Sequence, residues 1–186
     1  MRNHAPLAAL AIALALTIPS TGAAKQPWVE DERLEFQLPD LDGRPVSSSD
    51  ARFAGKTLLV DLWATWCPPC LSEIPTLIEL QRQYGDRGLV IVAIAFEAEE
   101  RADVRQERLR EFVAKRDINY LVLDGGPPEN FEAVLPAVRN VRGFPVEILV
   151  DRTGRVVTAR NGYGFKKSWA RKLTREIEAL VARPSE

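Results

Sequence analysis

Leu58-Leu59-Val60-Asp61-Leu62-Trp63-Ala64-Thr65-Trp66-Cys67-Pro68-Pro69-Cys70 is an apolar run that closes on two prolines held between two cysteines, and its reading decides the fold. The apolar part has the look of a buried strand, and the amphipathic run after it has the look of a helix beginning at Pro68 or Pro69. Both sulfurs therefore fall at a helix N-terminus. Unpaired backbone N–H groups and the helix dipole there favour a thiolate over a thiol, so Cys67 is expected to be more acidic than a free cysteine. These are the only cysteines of the 186-residue chain. A purely structural disulfide over so short a span closes a very small loop and constrains the unfolded chain little, so the spacing points to thiol–disulfide chemistry. A zinc site needs about four ligands, and the single histidine, His4, lies near the N-terminus; no metal is expected.

On the N-terminal side, Asp42-Gly43 signals a hairpin between Leu34–Leu38 and Arg44–Val46, and Gly55-Lys56 turns the chain into the strand Thr57–Trp63. On the C-terminal side, Leu71, Ile74, Leu77, Ile78 and Tyr84 recur at helical spacing, with Pro75 expected to bend the helix before it ends at Gly85–Gly88. Leu89–Phe96 is continuously apolar, as in a strand covered on both faces. A charged helix over Glu99–Lys115 and a short strand Tyr120–Leu123 follow, and Asp124-Gly125-Gly126-Pro127-Pro128 is read as a turn. Phe131, Val134, Leu135 and Val138 predict a helix disturbed by Pro136; Val146–Val150 and Arg155–Ala159 predict a hairpin. Ser168 is expected to cap a last helix carrying Trp169, Leu173, Ile177, Leu180 and Val181 on one face. The alternation gives an α/β three-layer sandwich with a mixed central sheet.

Charge and address narrow the function. The net charge is −1, with 25 basic and 26 acidic side chains. There is no basic excess of the kind that nucleic acid demands, and the mixed charges of Glu97–Arg116 read as a solvated helix face. A basic start at Arg2, an apolar run Pro6–Ile18 and small residues to Ala24 have the order of a secretory signal. The expected organisation is a signal peptide over 1–24 or an uncleaved anchor, a linker over 25–33, and one domain over 34–182. No cysteine lies near the cleavage region, which excludes lipid attachment there. An exported chain works where a cysteine pair can persist as a disulfide.

The motif resembles the thioredoxin superfamily, and within it the secreted or membrane-tethered TlpA/ResA/CcmG group. The resemblance rests on Phe36–Gly43, Gly55-Lys56, Val60–Cys70, Glu73, Pro75, Val141-Arg142-Gly143-Phe144-Pro145 and Leu149–Gly154, and spans about Leu34 to Gly164. It implies a thioredoxin-like sandwich with helices on both faces and an added N-terminal hairpin. It also implies thiol–disulfide exchange whose only redox centre is the Cys67–Cys70 pair; because both intervening residues are proline and no histidine supplies a cation, Cys67 is expected to be only moderately acidified and the protein to act as a protein-disulfide reductase. Cys67 is expected as the nucleophile and Cys70 as the resolving thiol. Asp61, six residues before Cys67, takes the place of the family's buried aspartate, where desolvation raises a carboxyl pKa towards that of a thiol partner. Glu73 matches a carboxylate of the group and shares a helix face with Cys70, though it also reads as an exposed helix residue. Pro145 is expected to be a cis-proline holding the Phe144 backbone open for strand addition by substrate. Trp66 is either a lid on the disulfide or a core residue; Pro68 and Pro69 complete the expected substrate-contact set, while Trp63, Phe53 and Phe96 read as core. Thr usually follows this proline in the family, whereas Val146-Glu147 follow here, making Glu147 a candidate contact for a basic partner. The partners implied are a protein disulfide and a membrane thiol–disulfide electron donor, with membrane contact by this chain only if its N-terminal segment is uncleaved. A copper-site or cytochrome assembly factor binding metal through the cysteines and a thiol peroxidase remain as alternatives.

Overall fold

In the computed structural model the described residues are 33–138, 141, 143–161 and 167–182. The expected signal and most of the linker lie outside them, as do His4 and Arg142. The strand β3, Thr57–Trp63, is buried along its whole length and forms the centre of a five-stranded sheet. It runs parallel to β4, Leu89–Phe96, and antiparallel to β6, Val146–Val150. Outside these lie β5, Leu121–Gly126, parallel to β4, and β7, Val156–Asn161, antiparallel to β6. The N-terminal hairpin pairs β1, Gln37–Pro39, with β2, Pro45–Ser47, and touches the sheet through a bridge between Asp40 and Leu123.

A strand buried on both faces sends alternate side chains to opposite layers. Leu58, Val60 and Leu62 pack with Phe36, Phe53, Phe131 and Leu135, under the hairpin and the single helical turn α3, Phe131–Val134. Leu59 points the other way, into Leu77, Trp169, Leu173 and Ile177, and Trp63 into Cys70, Ile74 and Leu109. That second face lies under α1, Pro68–Tyr84, α2, Ala102–Lys115, and α4, Lys167–Val181. The result is the expected three-layer sandwich with a mixed sheet. The Tyr84 hydroxyl donates to Glu178 at 2.7 Å and ties α1 to α4. The Gln81 carboxamide oxygen accepts from the Ile91 N–H at 2.8 Å and ties α1 to the start of β4.

Four expectations need correction. Asp124-Gly125-Gly126 is the end of β5, not a turn. A Cβ on Gly125 would lie 2.9 Å from Ile94 and Phe96 side-chain atoms, so this glycine serves close packing against β4, and the chain turns only at Gly126, where φ is +81°. The helix expected to reach Val138 stops at Val134, because Leu135 precedes a proline and leaves the α region (φ −131°, ψ 69°). Ser168 lies inside α4 and is not its cap. The regular strand β1 starts only at Gln37, although Leu34 and Phe36 are buried on the side expected.

Candidate functional site

Cys67 has extended backbone (φ −100°, ψ 98°) and is the N-cap of α1, with Pro68 and Pro69 in its first turn. Proline suits these positions because its missing N–H has no intrahelical acceptor there and its φ is preset for the helix. Cys67 and Cys70 are joined in a disulfide, and the Cys70 N–H donates to the Cys67 Sγ at 3.3 Å. Both cysteines are buried, at 4% and 1% exposure, so Cys67 is only slightly the more open of the two. The first turn of α1 carries no acidic residue, which leaves the helix N-terminus to act on the Cys67 sulfur without an opposing charge of its own. Pro68 is exposed, and Trp66 is 54% exposed, so Trp66 is not a core residue.

The Trp66 ring packs on Phe144 at 5.9 Å, and Phe144 stacks on Phe96 at 5.4 Å with their planes 11° apart. Phe144 also packs against the apolar cluster that contains both cysteines. The Phe144–Pro145 peptide is cis, and Pro145 is buried at the start of β6. Trp66, Phe144 and the cysteine pair thus share one end of the sheet.

Beneath them lies a set of buried acids. Asp61 is 3% exposed on the α1 face of β3, and Glu147 stands directly opposite it in the β3–β6 ladder. Burial, and next the Glu147 charge, push the Asp61 carboxyl well above the usual carboxylate range. Its Oδ1 has no hydrogen-bond partner among the described residues. Glu147 is 1% exposed, so it cannot meet a basic partner from solution as its place in the sequence suggests. It accepts from Arg160 Nε at 3.0 Å and Trp169 Nε1 at 2.8 Å. Burial raises its pKa above the usual glutamate value, and Arg160 and then Trp169 offset only part of that rise. Glu73 is fully buried, which removes the reading of it as an exposed helix residue. Tyr120 faces both Asp61 and Glu73: burial raises its hydroxyl pKa most, followed by Asp61 and then Glu73. Asp61, Glu73, Glu147 and Tyr120 are therefore one electrostatic group under the disulfide helix.

Two further elements escape the sequence reading. Glu97 accepts the Thr65 backbone N–H at 2.6 Å and the Thr65 hydroxyl at 2.9 Å, and so fixes the turn just before Trp66. Parallel register foretells this pairing: Trp63 lies beside Ala95, so the residues two steps on, Thr65 and Glu97, meet past the strand ends. Arg105, only 7% exposed, is the exception to the solvated-face reading of Glu97–Arg116. It donates to Asp124 at 2.5 and 3.0 Å and to the backbone carbonyls of Glu99 and Glu100 at 2.6 and 3.1 Å, anchoring the segment that carries Glu97. A groove of about 260 Å³ runs beside Trp66 between Glu97, Glu99, Arg105 and Arg108. Among the described residues no group of three or more His, Cys, Asp or Glu side chains could hold a metal ion, and no helix is long and apolar enough to cross a membrane.

With this geometry in place, the Redoxin family profile matches residues 28–172. The chain is similar to the thioredoxin-like protein YneN of Bacillus subtilis, at 32% identity over 139 residues that cover 75% of each chain. It is 28% identical to the thiol-disulfide oxidoreductase ResA of Bacillus thuringiensis over 149 residues, covering 75% of this chain and 78% of that one. Among solved structures it resembles a secreted Mycobacterium tuberculosis disulfide oxidoreductase homologous to E. coli DsbE. There the TM-score is 0.61 and the identity 25%, covering 81% of this chain and 99% of that one.

Proposed function

This chain belongs to the Redoxin family, and from that premise we propose that it is an exported thiol-disulfide oxidoreductase that reduces protein disulfides through Cys67 and Cys70. The observation that carries this reading is the Cys67–Cys70 disulfide at the N-cap of α1, beside the cis Phe144–Pro145 peptide. Relatives named for thiol–disulfide exchange support the reaction class, and one named as secreted supports export. The order of charge, apolar run and small residues at the N-terminus points the same way, to the periplasm or its equivalent.

In the reduced enzyme the Cys67 thiolate, stabilised by the α1 N-terminus, attacks one sulfur of a substrate disulfide. A mixed disulfide forms and the other substrate sulfur leaves with the electron pair. Cys70 gives its proton to a carboxylate, Asp61 assisted by Glu73, and attacks the Cys67 sulfur. The enzyme disulfide closes, the second substrate thiolate leaves, and two electrons have passed from enzyme to substrate. The exposed Trp66 ring, Pro68, Pro69 and the Phe144 backbone before the cis-proline bind an extended substrate segment by strand addition. A membrane thiol–disulfide donor returns the two electrons.

Direction follows from how far the thiolate is stabilised, since strong stabilisation makes the reduced form stable and the enzyme an oxidant. No acidic or basic residue stands in the first turn of α1 and both intervening residues are proline, which leaves the helix terminus as the main stabiliser. The enzyme is therefore a reductant. A redox titration of the Cys67–Cys70 pair against glutathione tests this: a potential near that of thioredoxin fits, and one near that of DsbA sinks it. Trapping with Cys70→Ala, which leaves the mixed disulfide on Cys67 unresolved, identifies the substrate.

A further inference from the structure

Two acids directly opposite each other in an antiparallel ladder are destabilising when both are charged, since facing Cβ atoms lie about 4.5–5.5 Å apart. Asp61 and Glu147 hold that relationship while both are buried. Their surroundings differ sharply. Glu147 accepts from the Arg160 guanidinium and the Trp169 indole, and Arg160 is itself fixed by Glu176 at 2.7 Å. Asp61 has Tyr120 nearby, its register neighbour on β4 is the neutral Ala93, and the charge that acts on its carboxyl is that of Glu147 across the ladder.

We propose that Glu147 is a positioning residue for proton transfer: clamped as an anion between Arg160 and Trp169, and set across the ladder from Asp61, it keeps the shared proton on Asp61 and sets the pH at which Asp61 can take the proton of Cys70. The groups that face this pair are Tyr120 ahead of β5, Glu73 on α1, Arg160 on β7, and Trp169 and Glu176 on α4, with Lys172 3.9 Å from Glu176. Arg160 is the one cation among them in contact with Glu147, and its bond selects Glu147 as the ionised member. The role is invisible in the motif because Glu147 looks like a surface residue after the proline. It rests on the thiol–disulfide reading above.

The test is Glu147→Gln, which keeps an acceptor for Trp169 and removes the charge. Single-turnover release of a substrate thiol from the Cys67 mixed disulfide is expected to quicken with pH as Asp61 becomes able to accept a proton. In Glu147→Gln that limb moves to lower pH by about one unit. In Asp61→Asn the limb is lost, and adding Glu147→Gln changes it no further. An unmoved limb in an active Glu147→Gln protein overturns the inference, whereas a wild-type protein with no exchange at all overturns the functional reading instead. Infrared titration decides the point independently of activity and of whether Glu147→Gln folds. A protonated-carboxyl band above the ordinary acid range that loses intensity in Asp61→Asn supports the proposal; a band whose intensity is unchanged in Asp61→Asn overturns it.

Discussion

Glu97 and Thr65 meet beyond the ends of β4 and β3, where one carboxylate receives both the backbone N–H and the hydroxyl of the same residue, at 2.6 and 2.9 Å. Thr65 is two residues from Cys67, so this pair determines how the chain leaves the sheet and enters the disulfide turn. A rigid sheet edge positions the reactive loop, and the charge that does it sits outside the motif.

Glu97→Ala leaves the Thr65 N–H without its acceptor in a half-buried site. Hydrogen bonds to a charged group contribute about 1.5–3 kcal/mol each, so the variant is expected to lose about 2–3 kcal/mol in urea unfolding of the oxidised protein. Disulfide exchange slows because the turn is no longer fixed, and Glu97→Gln, which keeps one acceptor, falls between. An unfolding midpoint equal to that of the wild type would show that water replaces the carboxylate without cost.

Phe144 stands between the exposed Trp66 ring and the buried Phe96 ring, so it ties the exposed ring to the core. Aromatic pairs contribute about 0.5–1.5 kcal/mol beyond area burial. Phe144→Ala is expected to raise KM for a disulfide peptide about tenfold, leave kcat within a factor of about three, and shift the Trp66 emission to the red. A fall confined to kcat would mean that Phe144 acts on the sulfurs and not on substrate placement.

The central strand, the disulfide helix and the alternation around them are legible because burial and periodicity are local signals. Thr57–Trp63 and Leu89–Phe96 fall on the strands within the bounds read from apolar runs. What is not legible depends on partners distant in sequence. Glycines at 125 and 126 look like a turn until Ile94 and Phe96 are brought against Gly125. Arg105 looks solvated until Asp124, nineteen residues away, takes its guanidinium into the core. Glu147 looks outward until the ladder turns its side chain towards Asp61. Each is placed by a contact with residues distant in the chain, which composition and local periodicity do not contain.

Arg105 and Asp124 give a measurable case, being 7% and 0% exposed at their side chains. Breaking a buried ion pair by removing one partner costs about 3–5 kcal/mol, because the remaining charge is left uncompensated, whereas replacing both by apolar groups is often neutral. Arg105→Met is therefore expected to lose more in urea unfolding than the double variant Arg105→Met/Asp124→Leu. The double variant still forfeits about 1 kcal/mol, since the Gly126 N–H loses its bond to Asp124. A double variant no better than the single one would mean that the carbonyls of Glu99 and Glu100, and not Asp124, are the contacts of Arg105 that matter.

Asp61 makes stability fall as pH rises. Its folded pKa is raised, so between about pH 4, where an unfolded aspartate ionises, and the higher folded value, the native state holds a proton that the unfolded chain has lost. The stability this proton supplies is complete below the unfolded pKa and is lost progressively above it, until the folded carboxyl itself ionises beside Glu147. Asp61→Asn cannot ionise and escapes that loss. The variant and the wild type are expected to differ little at pH 4, and at pH 8 the oxidised variant melts a few degrees higher. Surface carboxylates with the opposite sign, such as Glu79 and Asp103, whose arginine partners hold their pKa values down, change both proteins equally and cancel in the comparison. A difference in melting temperature that stays constant from pH 4 to 8 would mean that Asp61 ionises normally in the folded protein, and it would then have no advantage over a surface carboxylate as the proton acceptor for Cys70.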